Sequence, residues 1–388
     1  MTIDPADPLA TLPDDLLVTF RERAVRHDAD NTFPDQDLAD LRELGYLGLM
    51  VPVELGGAGA TVSQAAALQR RLAQAAPATA LSVNMHLIVT AAAMLAHRKG
   101  MAAAKQILTD AVAGELHAFG ISEAGNDAML FASRTSADLD GDGYRLTGTK
   151  IFTSAGPAWT RLVTHARIAD EERLVFGVIE RSDEVVTRND WDTHGMRPTQ
   201  SCTTVLTNAP MAPERVITTT EIGPSFDPFV FGIFGCFELL VTSVYVGIAE
   251  RAVQLGVEMA GKRLNQLSGQ PHSDDPDIRW RLADAAISVD GALLQLDKIT
   301  ADLDGWAEGK VDHGSRWFLH FSGVKSRAGE AAMAAVDQVL RASGGSQYFR
   351  RSELERLSRD VRAVMYHPSD EESVHRSYAK ALLGDIGS

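Results

Sequence analysis

The sequence predicts an α+β chain in which helices come first, a compact block of antiparallel strands follows, and helices return towards the C-terminus. Three observations carry this. Apolar residues keep helical spacing up to about residue 115, with Leu16, Phe20 and Ala24 and then Leu38, Leu41 and Leu44. From Ser133 the spacing changes to alternation, with Thr135, Ala137 and Leu139 on one side. From about Asp227 helical spacing resumes. Segregated runs of this kind point to α+β layering and away from alternating β-α-β units. No G-x-G-x-x-G follows a strand and opens a helix, which excludes a Rossmann reading.

Taken in order, residues 1–115 read as an N-terminal helical domain. A Gly/Pro-rich loop, Gly45 to Gly59, interrupts it, and Ala-rich patterns over Ala66–Leu72 and Ala91–Leu108 resume it. Residues 116–222 read as a middle β-domain. Asp140-Gly-Asp-Gly143 is a hairpin turn signal, and Arg161–Arg167, Leu174–Glu180 and Cys202–Asn208 are further strands. Short strands so spaced suit an antiparallel barrel or sandwich. Residues 223–388 read as a C-terminal helical domain, with long segments at Val241–Met259, Trp280–Trp306 and Trp317–Leu340 and a last helix at Ser373–Leu383.

Composition removes several function classes. The net charge of −15 disfavours a nucleic-acid-binding surface, which needs clustered Lys and Arg. The two cysteines, Cys202 and Cys236, form neither a metal-ligand spacing nor a disulfide framework, so no metal site is expected and a reducing cytoplasm fits. Met1 to Leu16 has no basic or apolar segment of a signal peptide. The most apolar stretch, Phe226–Ile248, is broken by Gly232, Gly235, Cys236 and Glu238 and reads as a buried helix, not a membrane span.

Three segments have the residue types for chemistry. Phe119-Gly-Ile-Ser-Glu-Ala-Gly-Asn-Asp127 sets small residues beside hydroxyl and amide donors. Gly148-Thr-Lys-Ile-Phe-Thr-Ser154 offers an aromatic ring and, two residues later, a hydroxyl, suited to a flat heterocycle. Gly344 and Gly345 allow close backbone approach to a ligand, with arginines following from Arg350.

With Leu44-Gly-Tyr-Leu-Gly-Leu-Met-Val-Pro52, Gly56-Gly57, Gly195-Met-Arg-Pro-Thr-Gln-Ser201, Val246-Gly-Ile-Ala-Glu-Arg-Ala252 and Leu354-Glu-Arg-Leu-Ser-Arg-Asp360, these segments resemble the acyl-CoA dehydrogenase superfamily along essentially the whole chain. The resemblance implies that the middle barrel is followed by a four-helix bundle, that the assembly is a homotetramer or homodimer, and that FAD lies between barrel and bundle. It places Ser122, Asn126, Phe152 and Ser154 at the flavin ring. It places Arg263, Gly344 and Gly345 near the dinucleotide part of a neighbouring subunit's cofactor. After Arg263 the family's usual aromatic and Gly are replaced by Leu264-Asn-Gln-Leu-Ser268, so FMN is an alternative to FAD.

The resemblance implies α,β-dehydrogenation of an acyl-CoA, with electrons passing to an electron-transfer flavoprotein. That reaction needs a carboxylate base. The family's two positions for it hold Pro368 and Phe237 here. Two residues remain as catalytic candidates: Glu238, one step round the helix from Phe237, and His367, next to Pro368 and of a type that titrates near neutrality. Asp370, Glu371 and Glu372 follow, but Ser369-Asp-Glu-Glu372 reads as a helix-capping box. The missing Glu leaves two further expectations, a monooxygenase of the same fold fed by a flavin reductase and a non-catalytic partner subunit.

Overall fold

The computed structural model describes residues 12–384, so the reading of Met1–Leu16 lies largely outside the described residues. Five helices open the chain: α1 (Asp14–Asp30), α2 (Asp35–Glu43), α3 (Val62–Ala75), α4 (Pro77–Arg98) and α5 (Lys105–Val112). Thr61 starts α3 with a full capping box, its hydroxyl on the Gln64 amide and the Gln64 side chain on the Thr61 amide. α4 begins with Pro77 at its first turn, where a missing N–H costs nothing, and is buried from Pro77 to Ala96.

Eight strands follow: β1 (His117–Gly120), β2 (Ser136–Asp140), β3 (Gly143–Thr153), β4 (Arg161–Ile168), β5 (Arg173–Glu180), β6 (Val185–Thr187), β7 (Cys202–Met211) and β8 (Val216–Glu221). They form one sheet in the order β6-β7-β3-β2-β4-β5-β8, with β1 also on β4. The expected hairpin is present, with Asp140 opposite Gly143. The sheet is not purely antiparallel, however. β1 runs parallel to β4 along Arg161–Thr164, and β2 runs parallel to it at Arg167 and Ile168. The two lie end to end on one edge of β4. Alternation along a strand reports which face it buries and says nothing about its partner's direction.

The chain returns to helix with α6 (Pro228–Lys262), α7 (Pro276–Ala307), α8 (Arg316–Ser343), α9 (Glu353–Asp360) and α10 (Glu371–Leu383). Asp227 caps α6 by accepting from the Phe229 and Val230 amides. Among the described residues, α4 and α6 are long and apolar enough to cross a membrane, yet both lie inside the protein core, as expected for Phe226–Ile248.

Two motif glycines act through packing. A Cβ at Gly247 would lie 2.3 Å from the Arg70 carbonyl oxygen, so the glycine sets how closely α6 crosses α3. A Cβ at Gly195 would lie 2.2 Å from the Arg359 carbonyl oxygen. There the β7 approach meets α9, and the Met196 amide donates to Asp360 Oδ1 at 2.6 Å. Arg359 in turn grips Asp28 of α1 through two bonds of 2.9 and 2.7 Å. This clamp ties the first helix, the strand block and α9 together.

Candidate active site

The strand side of the site is shaped by an irregularity in β3. Its register against β7 shifts between Lys150 and Thr153, a bulge that re-aims the side chain within it. Phe152 sits in that bulge with φ 58°, a left-handed backbone that is costly for a bulky residue. Its ring is 49% exposed, edge-on to Trp191 at 6.0 Å. The Ile151 amide donates to the Ser122 carbonyl at 2.9 Å, which brings Ser122 to the same lip. Among the described residues, the Ser122 hydroxyl has only the Met129 sulfur as partner, at 4.0 Å. Ser154 is buried and begins a hydroxyl chain, 2.8 Å to Ser201 and 2.8 Å from there to Thr199, which donates to the Met196 carbonyl.

Asn126 is spent on its own loop, donating to Ala132 O at 2.9 Å and to Glu123 Oε2 at 3.2 Å. Glu123 is the anchor of that loop. It accepts from Ser133 Oγ, the Arg134 and Thr135 amides, Thr135 Oγ1 and, at 2.6 Å, the buried Lys150 ammonium. Burial opposes both charges. The Lys150 ammonium and the surrounding donors hold the Glu123 carboxyl below its ordinary range, while burial lowers Lys150.

Three residues before Ser122, Phe119 of β1 meets the helices, its ring 5.9 Å from Phe237 of α6. Phe237 lies 6.1 Å from the His367 ring. Phe237 and Pro368, where the resemblance expects a carboxylate base, are thus linked through His367, and neither bears an acid. His367 Nε2 is 2.6 Å from the Tyr245 hydroxyl. Burial and the nearby Lys325 ammonium lower its pKa to about 3, so the imidazole is neutral. Burial holds the Tyr245 phenol protonated. His367 is that phenol's one protein partner among the described residues. A buried O–H seeks an acceptor, so the phenol donates to Nε2 and the ring proton resides on Nδ1.

Glu238 points elsewhere. Its Oε1 accepts from the Ser369 hydroxyl at 2.5 Å, and Oε2 is buried with no partner among the described residues. Burial pushes its pKa up to about 7, against the pull of Lys325 and the Ser369 bond. Lys325 of α8 is buried and donates to the His367 and Ser369 carbonyls at 3.1 and 3.0 Å. Ser369 therefore does not cap α10 as the spacing suggested. Asp370 does, accepting from the Ser373 amide, because the Ser369 hydroxyl is engaged by Glu238.

The remaining predicted residues form a separate group. Arg263, at the end of α6, donates to the Ser343 carbonyl and the Ser346 hydroxyl, which seats it against Gly344 and next to Gly345. Tyr348 and Phe349 beside it are exposed. No hydrogen bond or ring contact joins this group to Phe152 or His367 among the described residues.

Sequence reading missed Tyr245, Lys325 and the Glu123–Lys150 pair. Lys325 had a signal: it falls on the buried stripe of α8 with Phe321, Ala328 and Ala332, a position where an ammonium needs a partner. Tyr245 had none, since a phenol in an apolar helix reads as core.

Comparison with known proteins adds the following. The family description "Acyl-CoA dehydrogenase, N-terminal domain" matches residues 19–115, and "Acyl-CoA dehydrogenase, C-terminal domain" matches residues 239–370. An L-evernosamine nitrososynthase of Micromonospora is 29% identical over 88% of this chain and 81% of its own. An acyl-CoA dehydrogenase of Bacillus subtilis is 25% identical over 91% of this chain and 90% of its own. The solved structure of KijD3 in complex with FMN and a dTDP-linked 3-amino sugar superposes with a TM-score of 0.80 at 27% identity, covering 96% of this chain and 92% of that one.

Proposed function

Because the chain belongs to the acyl-CoA dehydrogenase superfamily, a family of flavin enzymes, we propose that it binds FMN or FAD against Phe152 and acts as a reduced-flavin-dependent monooxygenase on a small molecule bearing an oxidisable nitrogen. The residues present suit a flavin. The half-exposed Phe152 ring is held outward by a strained bulge, Ser122 leaves its hydroxyl uncommitted, and Ser154 stands two residues on. Such a group supplies two-electron transfer or, when reduced, activation of dioxygen.

One observation carries the choice of reaction. The acidless wall of Phe237 and Pro368 contains a neutral His367 whose Nε2 is occupied by the Tyr245 phenol. That imidazole offers an N–H donor at Nδ1. It is suited to hold a developing negative oxygen and poorly suited to remove an α-proton. The nitrososynthase relative and the amino-sugar complex of KijD3 support a nitrogen-bearing substrate. The same reading calls for a flavin reductase as partner and for the cytoplasm, in keeping with two buried free cysteines. A homotetramer or homodimer would bury the exposed Trp280, Ile287 and Leu294 of α7 and let Arg263, Gly344 and Gly345 meet a neighbour's cofactor.

The second reading is acyl-CoA dehydrogenation, supported by the Bacillus relative and by Glu238 beside Phe237. One experiment separates the two. The protein is supplied with FMN or FAD, a flavin reductase, NADH and isotopically labelled dioxygen, and offered dTDP-linked amino sugars and, separately and without oxygen, acyl-CoAs. Labelled oxygen in a nitrogen-oxidised product is the expected result. Bleaching of bound oxidised flavin by an acyl-CoA would overturn it in favour of dehydrogenation.

A further inference from the structure

The segment His367-Pro-Ser369 is held from two helices at once. Lys325 of α8 binds two of its three carbonyls, those of His367 and Ser369. Glu238 of α6 binds the Ser369 hydroxyl. Ser369 has φ 58°, a left-handed conformation that costs a non-glycine residue energy and persists only where the surroundings impose it. Tyr245, seven positions along α6 from Glu238, then receives the imidazole. Among the described residues, a buried glutamate with one unpartnered oxygen and a buried lysine with no direct ion pair are an expensive way to fill space. The polar contacts of both run to this segment, Glu238 Oε1 accepting from the Ser369 hydroxyl and Lys325 Nζ donating to the His367 and Ser369 carbonyls.

From this geometry we infer that Glu238 and Lys325 are positioning residues: with Ser369 they form a latch that fixes the His367 backbone, so that Tyr245 takes Nε2 and Nδ1–H is presented to the reacting face. The use of that N–H rests on the monooxygenase reading; the latch itself does not. Other titratable groups near the latch are Asp360 of α9, whose charge is felt at Tyr245, and Asp370 at the start of α10, whose charge is felt at Lys325. Glu238 acts in this scheme as an acceptor for Ser369, a task that an amide oxygen performs equally well, so Glu238→Gln preserves the latch while Glu238→Leu and Ser369→Ala open it.

The test is imidazole nitrogen NMR on histidine-labelled protein, with His367→Asn identifying the resonances. In the parent the expected spectrum is one neutral tautomer, proton on Nδ1, unchanged by acidification to about pH 5. Glu238→Gln keeps it. Glu238→Leu and Ser369→Ala each give mixed tautomers, and the double variant is no worse than either, because both break one contact. Lys325→Met raises the titration towards the ordinary histidine value of about 6.5. A parent-like spectrum in both Glu238→Leu and Ser369→Ala overturns the latch. That outcome is independent of the reaction: failure of the monooxygenase reading shows only in the fate of labelled oxygen. Where that reading holds, Glu238→Leu and Ser369→Ala lower kcat about 10-fold with KM little changed, and Glu238→Gln stays within about 2-fold.

Discussion

Replacing Glu123 by Gln tests how the loop between β1 and β2 is held. The carboxylate collects donors from Asn126, Ser133, Arg134, Thr135 and Lys150, and both members of its ion pair are almost wholly inaccessible, at 3% and 0% side-chain exposure. A buried pair of this kind nets little, since desolvation of two ions offsets most of their attraction. Its removal one partner at a time is a different matter. The amide cannot neutralise Lys150, and its NH₂ faces donors where the second oxygen accepted. An uncompensated buried charge costs about 3–5 kcal/mol. At roughly 2–4 °C per kcal/mol for a large domain, that lowers Tm by about 10 °C. Thermal unfolding followed by circular dichroism at fixed scan rate measures it. Lys150→Met in the Glu123→Gln background should recover a large part, because the stranded ammonium is gone. If Glu123→Gln costs less than about 1 kcal/mol, or if the double variant costs the sum of the singles, the pair is not coupled as argued. Acid gives a third view. A carboxyl held below its ordinary value contributes stability that is present above pH 4.5 and lost as pH falls towards its folded value near 2. Glu123→Gln should lack that limb.

Glu238 has the opposite sign. Its folded pKa of about 7 lies above the ordinary 4.5, so ionisation costs stability as pH rises between those values, reaching about 3 kcal/mol above pH 7. Glu238→Gln should therefore unfold at higher temperature than the parent at about pH 8 and at the same temperature near pH 4.5; a variant that is never more stable refutes this. Phe152→Gly should gain about 1 kcal/mol by relieving the left-handed backbone while losing roughly 10-fold in flavin affinity, read by fluorescence titration. Tight flavin binding by that variant would remove Phe152 from the ring site. Gly195→Ala should cost about 1–3 kcal/mol, because the new methyl meets the Arg359 carbonyl and backbone cannot yield as a side chain does; limited proteolysis near residue 195 reads the loosened clamp.

The order of helical and strand blocks was legible because each has a period, and the turn at Asp140–Gly143 because its chemistry is local. The short strands β1, β6 and β8 were not, since three to six residues hold too little alternation to rise above a loop. Motif glycines were legible as types but not as causes. Gly195 looks like a loop residue until α9 is seen lying on it. The Ser369 capping box shows the same limit from the other side. The spacing is right for a cap, but a buried acceptor from another helix outcompetes the local amide.

The strand residues proposed to meet a ring were easier to relate from sequence than those around His367, for a physical reason. Phe152 and Ser154 lie on one strand two residues apart, so chain spacing alone relates them. The other wall is assembled from Phe119, Phe237, Tyr245 and His367, with Lys325 holding the His367 backbone, and these come from four separate parts of the chain. Spacing cannot relate those residues, and residue type cannot say which nitrogen of an imidazole keeps its proton. His367 read alone is a residue poised to exchange protons near neutrality. Set against a protonated phenol and a buried ammonium, it becomes a fixed neutral donor. With Pro368 and Phe237 where the resemblance expects Glu, this wall lacks a base at both places and the contacts of His367 do not supply another; on the proposed function, that favours oxygen insertion over hydrogen removal.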